Sequence, residues 1–225
     1  MKKKLNIGII LDGNRRYAQQ RGNQPWEGHN KGAEKVEQLF TWITQLPIQT
    51  LTLYAWSMQN FGRTEIEKKF VFKIMENSLQ RLSQKTKDLQ KKGILVNFLG
   101  RLNLFPKKIQ QKMQKIIDAT KKNKKYTINF CMAYGGREEI VDAVAKTIKN
   151  KEKITEKNIQ KNLYLAEEPD FIIRTSGEKR TSNFLMWQSA YSEWFFLDKY
   201  WPEIEKEDIA YCIATFYERN RRFGK

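Results

Sequence analysis

Histidine and cysteine are nearly missing from this 225-residue chain, which holds one His, His29, and two Cys, Cys131 and Cys212. Zinc sites of the His/Cys type need several such ligands at short spacings, so they are excluded. Both cysteines sit inside apolar runs, which reads as reduced, buried thiols of a cytosolic protein. Acidic residues are also scarce: 25 Asp plus Glu stand against 42 Lys plus Arg, for a formal net charge of +17. A divalent ion would have only carboxylates and substrate oxygens to hold it, which is Mg2+ chemistry. No apolar run approaches the roughly 20 residues of a membrane span. Lys2 to Lys4 followed by Leu5 to Leu11 imitates a secretory signal, but the run is short, contains Asn6 and ends at Asp12 without a small-residue cleavage pattern. A soluble, cytoplasmic protein is expected. The chain has no Walker A loop, which disfavours an ATPase of that type. It also has no internal repeat, low-complexity linker or composition break, so one domain over residues 1–225 is expected.

The excess of positive charge suits polyanions: nucleic acid, an anionic membrane or phosphorylated small molecules. Many lysines fall in short runs (2–4, 121–125, 149–153), and blocks of like charge are ordinarily solvated faces. Charge alone therefore names no partner. Nucleic acid is disfavoured, because no RRM, KH, zinc-finger or helix-turn-helix signature is present and the arginines follow strands instead of forming a helical stripe.

Apolar runs of strand length recur at Ile7 to Leu11, Thr50 to Ala55, Ile94 to Leu99, Thr127 to Ala133 and Phe171 to Ile173. Segments of helical period lie between them. Val36, Leu39, Phe40, Ile43 and Leu46 repeat at three- and four-residue steps, as do Val71, Ile74, Met75, Leu79 and Leu82. Ile109, Met113, Ile116 and Ile117 form another set, followed by Ile140, Val141, Val144, Ala145 and Ile148. Strand alternating with helix predicts an α/β fold around a largely parallel sheet.

Each of the five runs is followed closely by arginine: Arg15 and Arg16, Arg63, Arg101, Arg137, then Arg174 and Arg180. Carboxyl ends of parallel strands share one edge, where ligands bind. Arginine loops with glycine nearby would make that edge a site for phosphate-rich ligands; local pairing with carboxylates is the plainer reading for any single loop. Asp12 ends a buried strand, an expensive place for a carboxylate unless a cation, a metal or an N-cap role compensates it. As an N-cap it would accept from the Asn14 or Arg15 N–H. As a ligand it would bind Mg2+ on a diphosphate while Gly13 to Arg16 wrap the phosphate oxygens.

The stretch Asp12-Gly13-Asn14-Arg15-Arg16-Tyr17-Ala18 resembles the first signature of the cis-prenyltransferases, the undecaprenyl diphosphate synthase family. The resemblance continues through Gly28-His29, Leu51 to Ser57 with Asn60, Phe61 and Arg63, and Asn129 to Arg137. It runs on through Ile173 to Glu178, Arg180, Ser182 to Phe184, Trp187-Gln188, Ala190-Tyr191, Glu193 and Arg221 to Gly224. It implies a single α/β domain with a central sheet of about six strands and a hydrophobic tunnel. It also implies repeated addition of isopentenyl diphosphate to an allylic primer (farnesyl or geranyl diphosphate), each step making a cis double bond, to give an undecaprenyl- or decaprenyl-type lipid-carrier precursor. By the same resemblance, Asp12 and Glu193 hold Mg2+, with Glu193 contributed across a homodimer interface. Gly13, Asn14, Arg15, Arg16 and His29 cradle the allylic diphosphate, Arg174, Arg180 and Ser182 hold the isopentenyl diphosphate, and Tyr17 and Thr181 are further substrate-binding positions. Asn60 and Ser57 match proton-relay and positioning residues, flanked by Met58, Gln59 and Arg63. An amide is a poor base, so a diphosphate oxygen or water is the expected final acceptor. Phe61 stands for a more familiar Trp as an aromatic wall beside the first isoprene units.

Two positions depart from the family pattern. Pro25 stands where an arginine often precedes the histidine, with Arg21 or Arg15 as candidate substitutes, and Gln59 stands where Glu is common. The helix expected over about Glu67 to Lys92 presents Phe70, Val71, Ile74, Met75, Leu79 and Leu82 as an apolar stripe, ordinarily just core. In a polyprenyl synthase that stripe, with Ile128 and Phe130, would line the tunnel. The lysines from Lys85 to Lys92 would face an anionic membrane receiving the lipid.

Overall fold

The computed structural model describes residues 3–219. β1 (Leu5–Ile10) is followed by α1 (Asn14–Gln19), α2 (Gly28–Gln45), β2 (Ile48–Ser57), α3 (Glu65–Gln84), α4 (Thr86–Lys92) and β3 (Ile94–Leu99). Then come α5 (Lys107–Thr120), β4 (Tyr126–Tyr134), α6 (Gly136–Lys149), α7 (Glu156–Asn162), β5 (Phe171–Arg174), β6 (Glu193–Phe196) and α8 (Lys206–Glu218). The six strands form one sheet in the order β3-β4-β2-β1-β5-β6, with every neighbouring pair parallel. This is the expected α/β architecture. The five apolar runs all became strands because helices cover both sheet faces and both sides of each inner strand must be apolar. β6 has a different composition: Trp194, Phe195 and Phe196 follow Glu193 on an edge strand, a run too short and aromatic for the apolar-run reading to separate.

β1 pairs with β2 on one side and β5 on the other, with Ile10 opposite both Tyr54 and Arg174. The chain changes direction across the sheet at this place, so the loops after β1 and β5 diverge and leave a crevice between them. Asp12 and Arg174 flank it.

Three expectations change. The helix over Glu67 to Lys92 is two helices, broken at Lys85, which leaves helical geometry (φ −89°, ψ 5°); Gly93, in left-handed geometry at φ 71°, ends the second. The α6 set Ile140, Val141, Val144, Ala145 and Ile148 is not its core face. Glu139, Ala143 and Thr147 are buried instead, while Val141 is 63% exposed and Ile148 59%. Asp12 is no helix N-cap, because Gly13 takes that position at φ 102°.

The two sheet faces carry different cores. One is large and lies under α2, α3 and α5, around Leu39, Ile43, Leu51, Leu53, Val96 and Ile128. The other is small, with Ile10, Tyr54, Cys131, Tyr134, Ile172 and Phe184. Both cysteines are buried and free, as expected. Among the described residues no helix is long and apolar enough to cross a membrane.

Candidate active site

The glycine after Asp12 makes the first loop possible. At Gly13 a Cβ would lie 2.6 Å from the Tyr200 ring, and the left-handed φ disfavours any side chain. The turn brings the Gly13 N–H to within 2.7 Å of Asp12 Oδ1. Asp12 Oδ2 accepts from Arg174 at 2.7 Å and Oδ1 from Arg16 at 3.4 Å. Burial by itself would raise the Asp12 pKa. The Arg174 hydrogen bond, the Arg174 and Arg16 charges and the Gly13 N–H outweigh it and hold the carboxyl below its ordinary value.

Arg16 is further fixed by Ser176 Oγ at 2.6 Å and Glu178 Oε1 at 2.9 Å. Arg174 is 3% exposed and donates to Ser182 Oγ at 2.7 Å and to the Arg180 carbonyl. Arg180 itself pairs with Glu178. A second cation group stands across the crevice. Arg63 donates to Glu67 Oε1 at 2.8 Å and meets His29 Nε2 at 3.2 Å, with Arg15 3.8 Å from the same Glu67 oxygen. Burial, then the charges of Arg63 and Arg15, push the His29 pKa down to about 3. The ring is therefore neutral at working pH. Because a guanidinium only donates, Nε2 is the acceptor and Nδ1 carries the proton.

Asp12, Gly13, Asn14, Arg15, Arg16, His29, Ser57, Asn60, Arg63, Arg174 and Arg180 all border one cavity of about 710 Å3. Away from these polar groups its wall is apolar: Val36 and Phe40 of α2, Val71, Ile74, Met75, Leu79 and Leu82 of α3, and Phe98, Phe130 and Met132 of the sheet. The stripe read from α3 thus lies on the wall except for Phe70, which packs on Trp26. Phe130 lines the wall too, whereas Ile128 is wholly buried beneath it.

Other expected positions stay outside the wall. Tyr17 stacks on Arg21, whose guanidinium also holds Glu203 at 3.0 Å, so Arg21 is committed elsewhere, while Arg15 borders the cavity along with His29 and Arg63. Phe61 packs among Trp56, Phe72 and Phe105 instead of facing the cavity. Met58 is half-buried and Gln59 exposed. Thr181 contacts Met186 Sδ at 3.7 Å, and Ser182 acts through Arg174. Arg101 is absent from the site because it forms a two-pronged pair with Asp142 at 2.8 and 2.9 Å, and Arg137 is exposed. Arg101 is held by a carboxylate, though one 41 residues away instead of a local one, and three loops make the rim instead of five. Asn60 uses its carbonyl to accept from the Ser57 N–H at 2.9 Å, which leaves both amide N–H donors for a ligand. Glu67, Glu178 and Tyr54 carry weight here without having been given a role. Glu178 and Tyr54 lay inside the family-like stretches, and Glu67 stood i,i+4 from Arg63.

Of the carboxylates that border the cavity, Glu178 is tied to Arg16 and Arg180 and Glu37 to Arg81 and Lys85, which leaves Asp12 as the carboxylate for a metal. No cluster of three or more His, Cys, Asp or Glu side chains suits a metal among the described residues. Glu193 opens β6 level with Phe171 and Ile7, while Asp12 lies past the far end of β1, roughly 16 Å along the strands at ~3.3 Å per residue. One Glu193 oxygen accepts from Arg219 at 2.8 Å. Within one chain the two carboxylates do not share an ion. Three donors leave Asp12 about one of its roughly four acceptor positions. That donor set fits Mg2+ arriving on a diphosphate, since this ion binds through one or two carboxylates plus phosphate oxygens.

A parallel sheet that gathers an acid and five arginines at its carboxyl edge, above a long apolar cavity, defines a protein for lipid-tailed diphosphates. The family model "putative undecaprenyl diphosphate synthase" matches residues 10–224. The chain is 42% identical to the tritrans,polycis-undecaprenyl-diphosphate synthase (geranylgeranyl-diphosphate specific) of Methanopyrus kandleri, over 98% of this chain and 84% of that one. It is equally similar, at 42%, to the enzyme of the same description from Thermoplasma acidophilum, over 98% and 88%. The fold superposes on lavandulyl diphosphate synthase from Lavandula x intermedia, solved with dimethylallyl diphosphate, with a TM-score of 0.90 and 30% identity over 98% of both chains. A probable undecaprenyl diphosphate synthase from Campylobacter jejuni gives 0.85 and 28% identity over 100% of both. The chain belongs to the undecaprenyl diphosphate synthase family of cis-prenyltransferases. It is an enzyme of isoprenoid biosynthesis that condenses isoprenoid diphosphates into polyprenyl diphosphates.

Proposed function

We propose that the chain extends an allylic diphosphate held at Asp12–Arg16, His29 and Arg63 by units of isopentenyl diphosphate held at Arg174, Arg180 and Ser182. The observation that carries this division is Asp12 itself, a charged carboxylate between Arg174 on one side and Arg16 on the other, at the head of the apolar cavity. Planar guanidinium forks meet two phosphate oxygens at once, so each cluster suits one diphosphate. Neutral His29 fits the allylic side as a ring-edge N–H donor. Asn60 holds ligand oxygens through its amide N–H groups. An amide is too weak a base to take the proton, which goes to a diphosphate oxygen or water. Asp12 would hold Mg2+ together with diphosphate oxygens, and the ion would supply positive charge to offset that growing on the leaving diphosphate.

Among farnesyl, geranyl and geranylgeranyl primers we favour geranylgeranyl diphosphate, which the archaeal relatives are named for. The exposed apolar stripe Val141–Ile148 supports a homodimer, and Glu193 reaches a metal only if a second copy supplies it. The test is the purified chain with radiolabelled isopentenyl diphosphate and each primer, with and without chelator. Metal-dependent lipid product is expected, with the highest kcat/KM for geranylgeranyl diphosphate. No extractable lipid from any primer overturns the assignment, and a farnesyl preference overturns the primer.

A further inference from the structure

Behind Arg174 the chain holds a costly loop. Ser182, Asn183 and Leu185 sit at φ +49°, +63° and +46°, the left-handed region that residues with side chains rarely enter. Such a conformation persists only where its surroundings over-determine it, and strained segments of this kind cluster at ligand sites. Asn183 ties the loop to the start of α6: its Oδ1 accepts from the Arg137 N–H at 2.8 Å, its Nδ2 donates to Glu138 at 2.9 Å, and its carbonyl accepts from the Gly136 N–H at 2.7 Å. Phe184 is wholly buried and stacks on Tyr54, with ring centres 4.7 Å apart at 17°. Gly8 makes room for that ring, since a Cβ there would lie 3.2 Å from it.

At Ser182 itself the side chain that reaches the backbone is Tyr54, whose hydroxyl lies 3.2 Å from the Ser182 carbonyl and 3.4 Å from that of Tyr134. Carbonyls only accept, so the phenol is the donor, and its single proton is shared between the two with the Ser182 carbonyl the nearer. Burial raises its pKa, which keeps the proton on it throughout the working range. Along β2, Leu51 and Leu53 belong to the large core, whereas Tyr54 belongs to the small core on the opposite face. Tyr54 also borders the cavity, while its ring packs in the small core. A line of contacts runs from its hydroxyl through Ser182, whose Oγ holds Arg174, to Asp12.

We propose that Tyr54 is a positioning residue for isopentenyl diphosphate: by fixing the Ser182 peptide it sets the Ser182 hydroxyl and the Arg174 guanidinium in register for that diphosphate. This rests on Arg174, Arg180 and Ser182 being the isopentenyl subsite. A hydroxyl beside two backbone carbonyls gives the loop one hydrogen bond that a ring alone does not, and hydrogen bonds of this kind change binding by about three- to tenfold.

Tyr54→Phe keeps the stack on Phe184 and removes one oxygen. In steady-state assays its KM for isopentenyl diphosphate rises about three- to tenfold, more than kcat falls, while its KM for the allylic primer changes less than about twofold. Ser182→Ala, measured beside it, raises the isopentenyl KM at least as much, and the double variant adds little to that. A lower melting temperature with both KM values unchanged would mean a purely structural tyrosine and overturns the proposal, as does an equal rise in both KM values. The two failures separate cleanly. If Ser182→Ala moves the isopentenyl KM and Tyr54→Phe does not, only the role of Tyr54 falls. If Ser182→Ala leaves it unmoved, the subsite assignment falls and takes the proposal with it.

Discussion

Asp12 and His29 are both held in the form they need by neighbouring arginines. Asp12→Asn keeps the size and most hydrogen bonding of the side chain but not its charge. A loss of about 100- to 1000-fold in kcat is expected with the fold intact by circular dichroism, the scale seen when one group stabilising transition-state charge is removed. Intact turnover in this variant would sink the role assigned to the carboxylate. Both groups also couple stability to pH. The folded chain keeps His29 neutral down to about pH 3, while the unfolded chain takes up a proton below about pH 6.5. Stability is therefore lost progressively as pH falls between those values. The Asp12 contribution is present above the unfolded carboxylate pKa and is lost only as pH falls through its lowered folded value. Thermal midpoints should drop between pH 7 and 4.5, and His29→Gln should flatten that dependence. An equal slope in the variant would show that His29 is not a source of it. Asp12 was legible as a misplaced carboxylate in sequence, but its partners were not, because Arg174 lies 162 residues away and meets it only through strand pairing.

Among the elements, α2, α3 and the sheet make the cavity, and three of its lining residues are aromatic rings packed together. Phe98 stacks on Phe130 with centres 5.3 Å apart, and Phe40 lies 6.3 Å from Phe130. Shortening one of these rings opens room for the growing chain. Phe98→Leu should shift the products toward longer polyprenyl chains on mass spectrometry if these rings stop the chain, and an unchanged distribution would show that they do not. The α3 stripe was readable because apolar spacing reports which side chains share a helix face. The same spacing misled for α6, whose apolar face is turned outward while Glu139, Ala143 and Thr147 pack inward. Periodicity defines a face but does not say what covers it. Arginine after a strand is ambiguous in the same way: Arg174 turns into the crevice, while Arg101 is taken by Asp142, a partner 41 residues on. Nothing local in either loop distinguishes them.

At the scale of the whole molecule the formal charge of +17 remains largely unexplained by the site, which uses five arginines. Much of the rest is lysine on helix surfaces. In α4, Lys92 pairs with Asp88, and Lys85 just before the helix pairs with Glu37, whereas Lys87 and Lys91 are exposed with no ion pair among the described residues. α4 directly follows α3, whose far end, at Ser78 and Leu82, borders the apolar cavity. A polyprenyl chain leaving between α2 and α3 would emerge beside these lysines, and the product is insoluble in water. Each basic side chain near an anionic bilayer contributes about 1 kcal/mol, falling off within a Debye length of roughly 8–10 Å at physiological salt. The chain should therefore sediment with vesicles containing anionic lipid at low ionic strength and be released as salt is raised. Lys87→Glu combined with Lys91→Glu should weaken that binding while leaving turnover of short, water-soluble primers unaltered, since neither residue borders the cavity. Equal sedimentation with neutral and anionic vesicles would remove the membrane role. Binding that survives the double reversal would move it from α4 to another basic face of the molecule.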